Sequence, residues 1–384
     1  MSDIKKVETK EMFFDEMTLN MGPHHPSTHG VLRFILKTDG EVLRTAIPDV
    51  GFLHRSIEKI AEGLTYPKFF PYTDRVDYLA AMNANHAWAI AVEKLLGIEV
   101  PERAEYLRVL VAEMNRIASH MVGVGALASD MGAFTPFLFN LRDREYLYDY
   151  LEEICGARLT YNYMSIGGVL RDLKPETADK INKFVHQGRK NLEEFKRLIA
   201  YNKIFIKRLA GVGVIDKKTC VEYGIVGPNL RAAGLKYDIR KDEPYSIYPK
   251  LKFEVPVGEN FAKANGGKLG DSYDRFMVRI LEMKESYNLI EQVLKEMPEG
   301  DIQAKVPRKL KPPVGDIYVP TESARGEMGY YIFSDGTDHP WRVKIRTGSF
   351  SAMSAFEEIS NGYFIADLVA AIGSMDIVAP EVDR

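Results

Sequence analysis

Apolar and polar residues alternate at the start of the chain, then give way to helical spacing. "MFFDEMTLNM" reads as a first strand, and "VLRFILKTDG" follows with Leu32, Phe34 and Leu36 on one face. Asp39-Gly40 is a type I′ turn signal before "EVLRTAIPDV", so residues 31–48 predict a hairpin. The loop "MGPHHPSTHG", residues 21–30, then connects the first strand to that hairpin. From about Ser56 the pattern turns helical. "DRVDYLAAMNANHAWAIAVEKLLG" has Asp74 as a candidate N-cap and Gly97 just past its end. "PERAEYLRVLVAEMNRIASHMVGVGALASDMG" opens with Pro101, favoured in a first turn. "PFLFNLRDREYLYDYLEEICG", "PETADKINKFVHQGRKNLEEFKRLIA" and "SYDRFMVRILEMKESYNLIEQVLKEM" predict three more helices. Helices 74–96 and 102–129 carry few charges and belong at the centre of a bundle. The basic, proline-rich 303–315 reads as a linker, followed by β patterning and a last helix in "ISNGYFIADLVAAIGSM". The expectation is a mainly α, α+β protein in three parts. These are a β-rich subdomain over 1–63, a helix bundle over 64–302, and a linker with a β/helix segment over 303–384.

At 384 residues the chain can bury a large core. Its net charge of -3 gives no overall pull toward nucleic acid. The two cysteines, Cys155 and Cys220, are far apart, which rules out a CxxC metal site or a disulfide framework within the chain. No stretch approaches the roughly 18 apolar residues of a membrane span, and the charged N-terminus lacks a signal-peptide core. The chain by itself reads as cytosolic, with membrane contact only through partners.

Three places carry candidate chemistry. In the loop, His25 and His29 are four apart, but Pro23 and Pro26 argue against a helix that would present both to a metal. Plain packing explains the loop as well as function does. What favours function is stiffness, which holds an imidazole in place, and titration near neutral pH. Asp130 stands in an apolar stretch, either as a cap or core group, or as a carboxylate able to pair with an imidazolium. Arg75 and Tyr78, three apart, would share a face near the start of a helix. "GVGALA" (123–128) fits a loose dinucleotide motif but continues a helical run. "LRDREY" (141–146) reads as a solvated helix face. The common hydrolase and P-loop motifs do not occur.

Together, "LNMGPHHPSTHGVLR", "IPDVGFLHRSIEK", "YTDRVDYL", "EMNRIASH", "NYMSIGGV", "VPTESARGEMGYYIFSDG" and the terminal "EVDR" closely resemble the 49-kDa-type subunit of respiratory complex I. The resemblance runs from about Met17 to Arg384. That family is related to the large subunit of nickel–iron hydrogenases, whose fold is therefore expected. The hydrogenase R-x-C-G-x-C pattern falls on Arg75 to Ala80, with Asp77 and Ala80 in the cysteine places. Its D-P-C-x-x-C-x-x-H pattern falls on Asp376 to Arg384, with Val378 and Glu381 there. No thiolate remains to hold nickel.

The resemblance implies that the vacated cavity binds a quinone headgroup, with Val378 in its wall. It assigns His29 and Tyr78 to the two quinone carbonyls, Asp130 to the histidine, and Arg75 to a place beside an iron–sulfur cluster of the neighbouring small subunit. This chain is then expected to hold no cluster of its own, while the whole complex uses NADH. Implied partners are the other hydrophilic-arm subunits and, through them, the membrane arm. The implied location is peripheral, on the cytoplasmic side of the inner membrane. Two departures stand out: Asp376-Ile377 replaces the family's Asp-Pro, and the chain is short between its last long helix and "VPTESARGE". The shortening leaves open a relative fed by ferredoxin or a deazaflavin. A hydrogenase-like scaffold without quinone chemistry is the more distant alternative.

Overall fold

A computed structural model describes residues 17–384, so the start of the first predicted strand lies outside the described residues. Strands β1 (Met17–Met21), β2 (Arg33–Asp39) and β3 (Val42–Asp49) form one antiparallel sheet in that order. Phe34 and Leu36 point into the core, as the alternation predicts. The hairpin turn differs from the expectation by one residue. Asp39 pairs with Val42 inside the ladder, leaving Gly40 and Glu41 as the two-residue loop. Only Gly40 has positive φ, 59°, which is the type II′ arrangement. Asp39 stays in the ladder because its carboxylate takes the Arg44 guanidinium at 2.5 Å.

Helix α1 spans Ala81–Leu96 and begins seven residues later than its pattern suggests. The cause is Asp77. Its carboxylate accepts the backbone N–H groups of Leu79 and Ala80, both at 3.2 Å, which holds residues 77–80 in a turn. Asp74 is therefore not an N-cap, and Arg75 and Tyr78 precede the helix instead of sharing one of its faces.

Helices α2 (Glu102–Asp130), α3 (Phe134–Cys155), α4 (Pro175–Phe195) and α5 (Ser272–Glu296) make the bundle with α1. The glycines of "GVGALA" lie within α2 and serve close packing. A Cβ on Gly123 would come within 2.7 Å of Asp376, and one on Gly125 within 2.6 Å of Phe137. In α3, Asp143 is buried and shares the inward face of Leu147 and Leu151, so "LRDREY" is not wholly solvated.

Helix α2 is also less apolar than expected of a central helix, because Arg108, Glu113, Arg116 and His120 are all buried on it. Each of the three charged residues has a partner of opposite sign, and His120, which burial keeps toward its neutral form, hydrogen-bonds a carboxylate. Arg108 meets Glu93 at 2.5 Å, Arg116 meets Glu113 at 3.3 Å, Glu113 meets Arg240 at 3.1 Å, and His120 meets Glu282 at 2.9 Å. Breaking such a buried pair typically costs about 3–5 kcal/mol.

Further along the chain, β4 (Gly315–Ser323), β5 (Gly326–Ser334) and β6 (Arg342–Arg346) form an antiparallel meander. Helices α6 (Gly348–Ser354), α7 (Ile365–Met375) and α8 (Ala379–Asp383) close the chain. The segment entering α7 returns to the first hairpin, where Leu43 N–H bonds to Tyr363 O at 2.8 Å and Ile365 N–H to Glu41 O at 3.1 Å. One buried apolar cluster accordingly includes residues from Met21 to Val382. The protein is mainly α, with small antiparallel sheets, in an α+β arrangement. Among the described residues no helix is long and apolar enough to cross a membrane.

Candidate functional site

The histidine loop contains a single 3-10 turn, Pro26–Thr28. His25 Nδ1 accepts the Ser27 N–H at 3.3 Å, and the Thr28 hydroxyl lies 2.7 Å from His25 O and 2.8 Å from Gly30 O. His24 and His25 are exposed. His29 follows the turn with φ 52°, and this left-handed position turns its ring inward. Its Nε2 lies 2.5 Å from Asp130 Oδ2, at the last residue of α2. Both side chains are mostly covered, at 15% and 14% exposure.

Gly373 on α7 makes the room. A Cβ there would lie 3.1 Å from Asp130 Oδ2 and 3.4 Å from His29 Cε1. The same segment reaches a second group three residues later. Asp376 accepts Arg325 Nε–H through its carbonyl at 2.9 Å, and its carboxylate lies 3.4 Å from Arg325 Nη2. Arg325 Nη1 also meets both oxygens of Asp77 at 2.9 Å. Asp77 immediately precedes Tyr78, so Arg325 ties the Tyr78 turn to the chain end. Burial raises the Tyr78 phenol above its usual value, the Arg325 charge opposes that, and Asp77 and Asp376 add to it. Tyr78 is half-buried, and among the described residues its hydroxyl makes no hydrogen bond.

Residues 130–312 and 304–384 match the family described as the respiratory-chain NADH dehydrogenase, 49 Kd subunit. An NADH-quinone oxidoreductase subunit of Anaeromyxobacter sp. (strain K) is 57% identical over 370 residues, covering 96% of this chain and 97% of that one. Its counterpart in Chlorobium luteolum, likewise named as an NADH-quinone oxidoreductase subunit, is 48% identical over 387 residues, covering 100% and 97%. The counterpart in Bacillus cytotoxicus is 47% identical over 370 residues, covering 96% and 99%. The chain belongs to this 49-kDa family.

Of the residues that the family resemblance singles out, His29 and Asp130 touch each other, and Tyr78 joins them only through the 373–378 segment. Val378 is buried at the start of α8, its N–H 3.2 Å from the Ser349 hydroxyl. Arg75 is exposed, with Nη1 on the Pro71 carbonyl at 2.5 Å and no carboxylate within ion-pair distance among the described residues. A cavity of about 610 Å³ flanks the loop, lined by Met21, His25, Phe364 and Val369 among others. Sequence reasoning misses Arg325, Asp376 and Gly373 as site residues, although Arg325 sits in a stretch that carries the family resemblance and Asp376 opens the one set against the hydrogenase pattern. In the places of the hydrogenase cysteines, Asp77 is occupied by Arg325, and the Glu381 carboxyl accepts only the Ser349 hydroxyl among the described residues.

Proposed function

We propose that the chain is the quinone-site subunit of a complex I-type NADH:quinone oxidoreductase and that His29 and Tyr78 protonate the quinone as it is reduced. The pairing of His29 with Asp130, anchored by the same segment that anchors the Tyr78 turn, carries this reading. Converting a quinone to a quinol takes two electrons and two protons. An iron–sulfur cluster of the adjoining small subunit would supply the electrons, which need no covalent chemistry from this chain. Protons need donors within about 2.6–3.2 Å of the developing oxyanions. Tyr78 supplies an unengaged phenol. His29 supplies an imidazolium that Asp130 stabilises until the proton leaves. After Tyr78 has donated, the Arg325 guanidinium offsets the phenolate charge. Val378 would contribute apolar wall, and exposed Arg75 would lie beside the cluster that the small subunit holds.

As a family member the chain works as one subunit of the proton-translocating enzyme, in which NADH is oxidised elsewhere. It associates with the other hydrophilic-arm subunits and reaches the membrane peripherally, on the cytoplasmic side, through them. The test is steady-state quinone reduction by the assembled complex carrying Tyr78→Phe or His29→Ala. Each is expected to lower turnover by about 100-fold or more while NADH still reduces the clusters. Unaltered turnover in either variant would remove that residue from the mechanism.

A further inference from the structure

Behind the Tyr78 turn lie two buried carboxyl groups that the donor mechanism does not use. Glu381 is 1% exposed, its carboxyl takes a hydrogen bond only from the Ser349 hydroxyl, and no cation lies within ion-pair distance among the described residues. It faces Asp77 from the Tyr78 turn and Asp376 from the end of α7, with Arg325 and Arg384 as the nearby positive charges. Asp74 is completely buried, and its Oδ1 accepts the Asn85 amide at 2.9 Å. Its charged and titratable neighbours are Arg75, Cys155, Tyr161 and Tyr330. A carboxylate so deeply buried without a paired cation is costly to keep charged, so burial favours the protonated form of both groups. Burial, with Asp77 close by, moves Glu381 up to about 8, and burial alone moves Asp74 up to about 7.

Tyr330 on β5 lies near both acids. It is fully buried, and its neighbours include the Thr73 hydroxyl together with Asp74, Asp77 and Glu381. Its hydroxyl, Asp74 Oδ2 and Asn85 Oδ1 are all buried without a hydrogen-bond partner. Buried polar atoms left without a protein partner are commonly satisfied by bound water.

We propose that Glu381 and Asp74, linked through Tyr330 and bound water, are a proton store that reloads Tyr78 after each quinone reduction. The step moves one proton and no electrons. The Glu381 carboxyl O–H breaks, the Tyr78 phenolate becomes a phenol, and Glu381 is left as a carboxylate near Arg325. Asp74 and then solvent refill it. The inference rests on Tyr78 being a donor and extends that reading to the recovery of its proton.

The experiment uses the assembled complex with Glu381→Gln and Tyr330→Phe, with Tyr78→Phe alongside. Reduced enzyme is mixed rapidly with excess quinone, and the first and later turnovers are resolved. Glu381→Gln keeps the shape and the Ser349 contact. Tyr330→Phe keeps the ring packing against Trp88 and gives up only the hydroxyl beside Thr73, so a purely structural role predicts the same slowing in the first turnover as in later ones. The expected result is a first turnover of wild-type amplitude in both, with later turnovers slowed at least about tenfold. Wild-type later turnovers are expected to slow as pH rises through about 8, where Glu381 loses its stored proton, and Glu381→Gln lacks this limb. The infrared carbonyl band of a protonated carboxylic acid should also weaken in Glu381→Gln. Later turnovers at the wild-type rate in both variants, with Tyr78→Phe still slow, would overturn the proton store alone. A fast first turnover in Tyr78→Phe would overturn the donor reading and the store together.

Discussion

Gly373 offers a way to disturb the His29–Asp130 pair without touching either residue. Within a helix, glycine to alanine ordinarily gains about 0.5–1 kcal/mol. Here the new Cβ would stand 3.1 Å from Asp130 Oδ2, 3.1 Å from Leu127 Cδ1 and 3.4 Å from His29 Cε1. Those neighbours must retreat by a few tenths of an ångström, so Gly373→Ala is expected to be close to neutral in stability. Catalysis responds more sharply, since a misplacement of about 1 Å can cost about 100-fold in rate. A few tenths then correspond to a loss of roughly two- to fivefold. Gly373→Val adds two further methyl groups, and overpacking should cost about 1–3 kcal/mol. It should also displace the pair by about 1 Å and lower quinone turnover by about 100-fold. Thermal unfolding and steady-state quinone reduction on the same preparations separate the two effects. Wild-type turnover in a folded Gly373→Val enzyme would refute the argument, as would a loss no larger than the loss of folded protein.

Two further predictions concern stability against pH. Burial raises Asp74 from 3.8 to about 7, so its stabilising state is the protonated one, complete below the unfolded value and lost as pH rises toward 7. Asp74→Asn keeps the Asn85 contact, so its melting temperature should not show the wild-type decline between about pH 4 and 7; an undiminished decline would contradict this. Burial pushes Glu113 up, but Arg116 and Arg240, with the Ser286 and Tyr248 hydroxyls, bring it down to about 2. Its contribution is therefore present above about 4.5 and fades as pH falls toward 2, and Glu113→Gln should cost about 3–5 kcal/mol at neutral pH in thermal unfolding. A cost below about 1 kcal/mol would mean that the pairs around Glu113 matter little.

Sequence periodicity locates the long helices and the first hairpin because each is a local pattern of burial. It fails where a distant side chain decides. Nothing near Asp77 announces Arg325, which is 248 residues away, yet their pairing helps stop the helix that the pattern begins at Asp74. The charges of α2 look like ordinary helix polarity until α5 and the segment around Arg240 fold over them. His29 and Asp130 come together on paper only because the chain resembles a known family; no spacing rule joins residues 101 apart. Gly373 carries no local signature, since its role is the space that it leaves for two residues from other parts of the chain.

The most direct measurement of the central claim is quinol formation in a single turnover, with cluster oxidation followed in the same mixing experiment. Reduced assembled complexes carrying the wild-type chain, His29→Ala or Tyr78→Phe are mixed with one equivalent of quinone. The account predicts normal cluster reduction by NADH in all three, with quinol formation slowed by about 100-fold in either variant. Quinol formed at the wild-type rate in both variants would contradict it.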